Sequence, residues 1–358
     1  MSKHGRIVVA ALAVWVAVLS SAPAQAHEKW FTDSSKFPIT WGEAFSLKTV
    51  LVLLAVAAGL AAVYGLDWGL RTFWPNRLPR TVRLSQRQLE RIFAWVPLLL
   101  GLHAAVPLIV SGLQLQLFAA NLQLPRNFFG GVMGLLQITV ALSFVYGALT
   151  RVFAVVLLAL FPLGFLFFSP AYVLEHLDLA GVAVFLFITG RGPFSVDALI
   201  GSPAQPLVRY MKYAVPSLRI LTGAAIVVLG FTEKIWNEQL AESFLAYQDF
   251  NFARPLGFSN EVFILLAGIV EILVGATLIS GKLTRLVIAT AWIPFNLTLP
   301  FLGWVELAGH FPVYGTMVVL LLWGAGQDLT PYLRTLRRAR FDMDAGEPVS
   351  ARPARIPS

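Results

Sequence analysis

The side chains best suited to chemistry in this 358-residue chain are a few histidines, carboxylates and one lysine set among apolar residues. Glu306 and His310 stand four apart, a spacing that places both on one face of a helix, although Pro312 suggests that the segment turns just beyond them. Histidine beside a carboxylate can relay a proton, ligate a metal or hydrogen-bond a quinone carbonyl. His176, flanked by Glu175 and Asp178, repeats the theme. The plainer alternative makes both histidines interfacial residues whose imidazoles satisfy helix ends. Glu271 lies inside an apolar run, and an ionisable group at membrane depth is a functional candidate by default. Lys234 or Arg219 is its expected partner, and Glu233–Lys234 an expected ion pair. The candidate catalytic set is therefore Glu271, Lys234, His310 and Glu306.

His27 offers different chemistry. If a signal is cleaved after Ala26, His27 becomes the terminal residue and carries an α-amine and an imidazole together. That pair chelates copper, which heads the divalent affinity order for nitrogen ligands. Were His27, His176 and His310 to converge, they would form an external all-nitrogen metal site. Otherwise His27 is simply what processing leaves. His103 lies within an apolar run and has no histidine counterpart later in the chain, where the equivalent region offers Phe231, Thr232, Glu233 and Lys234. It reads as a satisfied buried histidine or a functional one.

The elements that must position these groups are membrane helices. The chain is 57% hydrophobic and 13% charged, too little charge to cover a soluble domain of this length. Several apolar runs reach the ~18 to 20 residues that cross a bilayer. The lipid bilayer is thus the expected partner, and the net charge of +8 reports topology rather than nucleic-acid binding. Lys3 and Arg6, then Ile7 to Leu19, then Ala24-Gln-Ala26 form the pattern of a signal peptide; the alternative is an uncleaved first helix. The chain has no cysteine, which excludes disulfides, cysteine-ligated zinc and iron–sulfur clusters. No Gly-rich phosphate loop, HExxH or nucleophile elbow is present, so whether the protein is an enzyme is left open.

An internal repeat organises the apolar part. Gly134, Gln137 and Ile138 are answered by Gly268, Glu271 and Ile272, and Gly147, Thr150 and Arg151 by Gly281, Thr284 and Arg285. Phe161, His176, Gly181 and Gly190 are answered by Phe295, His310, Gly315 and Gly324, all 134 residues on. Arginine clusters at 71–91, 209–219 and 334–355 all fall on one side when the helices alternate, which makes that side cytoplasmic. The expected fold is an all-α polytopic membrane protein of the cell inner membrane with about nine membrane helices after signal removal. It comprises a signal peptide (1–26), an external segment (27–46), a first membrane helix (47–66), a four-helix repeat (91–197), a cytoplasmic linker (198–218), a second four-helix repeat (219–332) and a basic tail (333–358). The mature N-terminus is outside and the C-terminus inside, so the two repeats are parallel, related by an axis along the membrane normal.

At these residues the chain resembles the DoxX-like family of membrane proteins. The second repeat matches through Arg219, Gly230, Lys234, Glu271, Gly275, Gly281, Thr284, Arg285 and Gly315, the first through Arg91, Gly101, Gly147, Thr150, Arg151 and Gly181, with Gln137 in place of the glutamate. The resemblance implies a four-helix membrane bundle and, in some members, a subunit linked to quinone or sulfur redox chemistry. The leading expectation is a quinone-interacting or redox-accessory membrane subunit with a redox partner subunit. Its outward-facing cavity would have Glu271 and Lys234 as floor and Glu306 and His310 as mouth. A transporter or copper-handling protein and a non-catalytic scaffold are the alternatives.

Overall fold

The computed structural model of the chain describes Lys29 and residues 34–73, 84–200, 206–248, 251, 253–297, 299–326 and 329–332. The expected signal, His27 and the basic tail lie outside these residues. Nine apolar helices build the described body: α1 (Leu47–Phe73), α2 (Val96–Leu113), α3 (Phe128–Tyr146), α4 (Thr150–Gly164), α5 (Leu177–Thr189), α6 (Met211–Leu229), α7 (Asn260–Ser280), α8 (Thr284–Leu297) and α9 (Leu299–Trp323). Five of them, α1, α2, α3, α6 and α7, are long and apolar enough to cross a membrane, and the other four contribute shorter apolar stretches. The protein is an all-α, multi-spanning membrane protein.

Three expectations differ. Helix α1 runs to Phe73, seven residues beyond its expected end at 66. Helix α6 begins at Met211, so the last eight residues of the expected linker are helical and Arg219 sits in mid-helix. Helix α9 runs through Pro312 without the expected turn. Pro107, Pro162 and Pro216 also lie inside helices; a packed apolar bundle holds the flanking turns together where an isolated helix would break.

The Gly-x-x-Thr-Arg pattern has a local cause. Helix α3 ends on Gly147 in the left-handed region (φ 69°), and α7 ends on Gly281 (φ 75°), the conformation that glycine adopts without steric cost. Leu149 and Leu283 follow at φ 52° and 45°, and the buried Thr150 and Thr284 then open the next helix. Asp197 accepts the Leu149 and Thr150 amides at 2.7 and 3.0 Å, satisfying the start of α4. Each arginine spans the bundle end. Arg151 Nε donates to the Phe187 carbonyl at 2.9 Å, and Arg285 Nε to that of Leu321 at 2.9 Å. The last turns of α5 and α9 thus gain partners for carbonyls that no helical amide can reach.

A second arginine caps the helix before each turn, but it comes from a different place in each half. Arg191, which follows α5, donates to the carbonyls of Phe144 and Val145 at 2.6 and 3.0 Å. Arg219, on α6, donates to those of Leu278 and Ile279, 134 residues on. Gly101 stands where Arg219 would fall in the first half, and a Cβ there would lie 3.0 Å from Arg191 Nε. Arg191 therefore fills the space that Gly101 leaves.

The halves dock through matching contacts. A Cβ on Gly181 of α5 would meet Leu218 and Leu221 of α6 at 3.3 to 3.4 Å, and a Cβ on Gly315 of α9 would meet Leu100 and His103 of α2 at 3.2 Å. Within the halves, Gly112 approaches Gly134 and Ile138, and Gly230 approaches Gly268 and Ile272. These pairs set an offset of 118 residues between α2 and α6, against 134 between the later helices. His103 is therefore the counterpart of Leu221 rather than of the 231–234 region, and Gly230 that of Gly112 rather than of Gly101. The loop joining the first two helices is longer in the second half and contains the helix Glu238–Gln248; this length difference makes a single offset fail. Helix α1 packs on the second half, where Val52 and Val56 meet Ile235 and Ile272.

Helices α6 and α7 come so close that a Cβ on Gly223 would sit 2.7 Å from the Gly275 carbonyl oxygen. Gly223→Val is expected to cost about 1–3 kcal/mol through overpacking. Gly131→Ala, with nothing within 4 Å of its Cβ, avoids that cost. Thermal unfolding of the purified protein in detergent distinguishes the two.

Candidate functional site

Beyond Leu229 the ladder of α6 widens into a π-helix, Gly230–Ile235, a local rearrangement that recurs at functional sites. Its residues present a hydroxyl, a carboxylate and an ammonium in succession: Thr232, Glu233 and Lys234. Lys234 Nζ lies 3.1 Å from Glu271 Oε1 on α7 and 4.0 Å from Glu233 Oε2. Glu271 is the twelfth of the 21 residues of α7, so the pair forms at mid-helix. The expected Lys234–Glu271 partnership is thereby placed in contact, while Arg219 is committed to backbone carbonyls.

The network extends further than the sequence suggests. Lys29 Nζ contacts Glu175, in the connection between α4 and α5, and lies 3.9 Å from Glu233 Oε1. Glu175 also accepts the Thr232 hydroxyl at 2.5 Å, and the Lys29 ammonium stands 4.6 Å from the Tyr172 ring centroid. Side-chain exposure is 1% for Lys29 and 2% for Glu175 and Glu233. Charges so enclosed persist only when paired, because each ion loses several kcal/mol of hydration. Among the described residues, three carboxylates and two ammoniums thus form a chain from Glu175 to Glu271, whose side chain is 38% exposed. The segment after Lys29 is pinned to the same place: Thr40 N donates to the Trp236 carbonyl at 3.1 Å, and Asn237 Nδ2 to that of Phe37 at 2.7 Å. Trp236 Nε1 reaches Thr49 of α1 at 3.1 Å.

The first half has no charge at the position of Glu271. Gln137, at the position of Glu271, is fully buried. Its amide donates to the Leu108 and Gln116 carbonyls at 3.1 Å each and accepts the Phe118 amide at 2.9 Å. Every one of these partners is backbone, so Gln137 folds the 114–124 loop onto α3.

No protein-family model, curated protein or solved structure matches this chain. The site is therefore read from its own residues.

His103 and His176 lie in the first half and His310 in the second, and His176 adjoins Glu175 of the network. His310 is buried on α9 with its ring edge-on to Phe295 at 5.0 Å. His176 packs 5.8 Å from Phe118, which stacks near Phe161, the counterpart of Phe295. Burial and the Lys29 ammonium push the His176 imidazole down to about 3, so it is neutral. His103 lies at the junction of α2 and α9, its Nδ1 2.6 Å from the Leu99 carbonyl and its ring edge-on to Phe311. Among the described residues no group of three or more histidines and carboxylates is placed to hold a metal, and His27 lies outside them. Glu306 falls on α9 four residues before His310, and its side chain is outside the described set. Lys29, Glu175 and Thr232 join the network with no sequence signal beyond the place of Glu175 beside His176.

Removing one member of the Lys29–Glu175 pair strands the other. Lys29→Met and Glu175→Gln are each expected to cost about 3–5 kcal/mol, and the double variant to cost less than their sum by about 0.5–3 kcal/mol. A double-mutant cycle on unfolding in detergent measures this coupling.

Proposed function

We propose that the protein is a quinone-interacting or redox-accessory subunit of the inner membrane, with its working site in the second half. The observation that supports this most is the Lys234–Glu271 pair, 3.1 Å apart at the middle of α7, where the corresponding position of the first half holds a neutral, backbone-bound Gln137. A quinone needs a donor for its carbonyl and an acceptor for the quinol hydroxyl, both reachable from the apolar phase. Lys234 supplies the first and Glu271 the second, and partial exposure of both leaves room for approach. His310, and Glu306 on the same helix, stand as the mouth of this site. On this reading electrons come from or pass to a redox partner subunit, and the chain, having no cysteine, holds no cysteine-ligated iron–sulfur cluster itself.

On this reading the nine helices are one preceding helix and two tandem parallel four-helix repeats, similar to the DoxX-like family. The mature N-terminus and the Glu175–Trp236 end face outside, and the arginine end faces the cytoplasm. Support comes from the contacts repeated 118 and 134 residues on, and from the arginines gathered at one end.

The test is quinone binding by the purified protein in nanodiscs. Glu271→Gln is expected to weaken it by about 10- to 100-fold, the roughly 1.5–3 kcal/mol that a hydrogen bond to a charged group supplies, and His310→Ala to weaken it as well. Unchanged binding in both variants rejects the quinone reading.

A further inference from the structure

A cavity of about 230 Å³ opens beside the end of the π-helix. Four elements enclose it: the short turn Trp41–Phe45, the start of α1, the residues that close the π-helix, and the helix Glu238–Gln248. Its wall is mostly polar, with Glu43, Lys48, Asn237, Glu238 and Glu242, and Trp236 adds an aromatic side. Lys48 is committed to Glu238, while the carboxylates of Glu43 and Glu242 make no ion pair among the described residues. Two negative charges in the wall are therefore unmatched. Asn237, 4% exposed, has a further unmet need. Its Nδ2 donates to the Phe37 carbonyl at 2.7 Å, but its Oδ1 accepts no hydrogen bond among the described residues; buried polar atoms ordinarily find a partner. The Trp236 ring is held in place, its Nε1 3.1 Å from Thr49 and its face stacked on Phe231 at 4.8 Å.

We propose that this cavity binds a small organic cation with two amino groups, of the alkyl diamine class. A concave wall of one charge sign concentrates the opposite ion, and an indole is the best aromatic neighbour for an ammonium. A metal ion fits less well, since among the described residues no group of three histidines and carboxylates is placed to hold one. Glu43 comes from the turn before α1 and Glu242 from the helix after the π-helix. Carboxylates on separate elements suit a ligand whose two charges are themselves separated, and Asn237 Oδ1 accepts an N–H from it. The volume lies below the roughly 300–1,000 Å³ of sites for drug-sized ligands, which keeps the cation small. An amine-bearing phospholipid headgroup is disfavoured because its phosphate would meet the same carboxylates. This site stands independently of the quinone reading.

Calorimetric titration of the purified full chain in phosphatidylcholine nanodiscs with 1,4-diaminobutane tests it, with butylamine and Mg²⁺ titrated for comparison. The diamine is expected to bind saturably and more tightly than either. Glu43→Gln and Glu242→Gln are each expected to weaken it by about 5-fold, the upper end for a solvent-accessible ion pair. Glu261→Gln, which removes an exposed carboxylate at the start of α7, leaves the affinity unchanged. Absence of saturable binding, affinity for butylamine or Mg²⁺ as high as for the diamine, binding that neither Glu43→Gln nor Glu242→Gln weakens, or an equal loss in all three variants overturns the proposal. The comparison of ligands on the unmodified protein holds even if a variant does not fold.

Discussion

A lysine ammonium with 1% of its side chain exposed must be neutralised where it stands, and the arrangement around Lys29 follows from that requirement. Its partner Glu175 comes from the connection between α4 and α5, 146 residues away in the chain. Glu175 in turn holds Thr232, on the π-helix that ends α6. One buried charge therefore joins the N-terminal segment, the first half and the second half. The strap from Phe37 to Thr40 and the tryptophan at 236 add neutral hydrogen bonds around it. The burial that makes the pair costly to break also makes it specific, since any shift between the halves would separate charges in a poorly solvated place.

The opposite end of the bundle solves a different problem with the same chemistry. Helices packed in an apolar medium leave their last carbonyls without partners, and four arginines supply them: Arg151, Arg191, Arg219 and Arg285. Two of these hold matching positions in the halves, while Arg191 and Arg219 reach matching carbonyls from unrelated positions. The need is therefore for a guanidinium at that spot, and either origin meets it. At this end the halves agree; away from it they diverge, with Gln137 bound to backbone and Glu271 bound to Lys234. Shared contacts maintain the bundle, and on the proposed reading the unshared ones carry its chemistry.

The sequence made parts of this legible for identifiable reasons. Gly147 and Gly281, with Thr-Arg three residues on, stand out because a left-handed turn and an end-capping arginine need those types at that spacing. Lys234 and Glu271 stand out because charge is scarce in apolar runs. Lys29 did not stand out, since one lysine in a polar stretch carries no mark of a partner so distant. The offset of 118 was hidden because α2 and α6 precede a loop whose length differs between the halves, and glycines are too common there to set the register. Pro312 misled because a proline's effect on an isolated helix differs from its effect inside a bundle.

The enclosure of Lys29 is the most direct point of contact with experiment. Amine-reactive labelling of the folded protein, read by mass spectrometry, compares Lys29 with the exposed Lys36 in one sample. Lys36 is expected to react readily, with Lys29 protected until the protein unfolds. Modification of Lys29 at the rate of Lys36 in the folded protein would contradict the buried pair and the junction built on it.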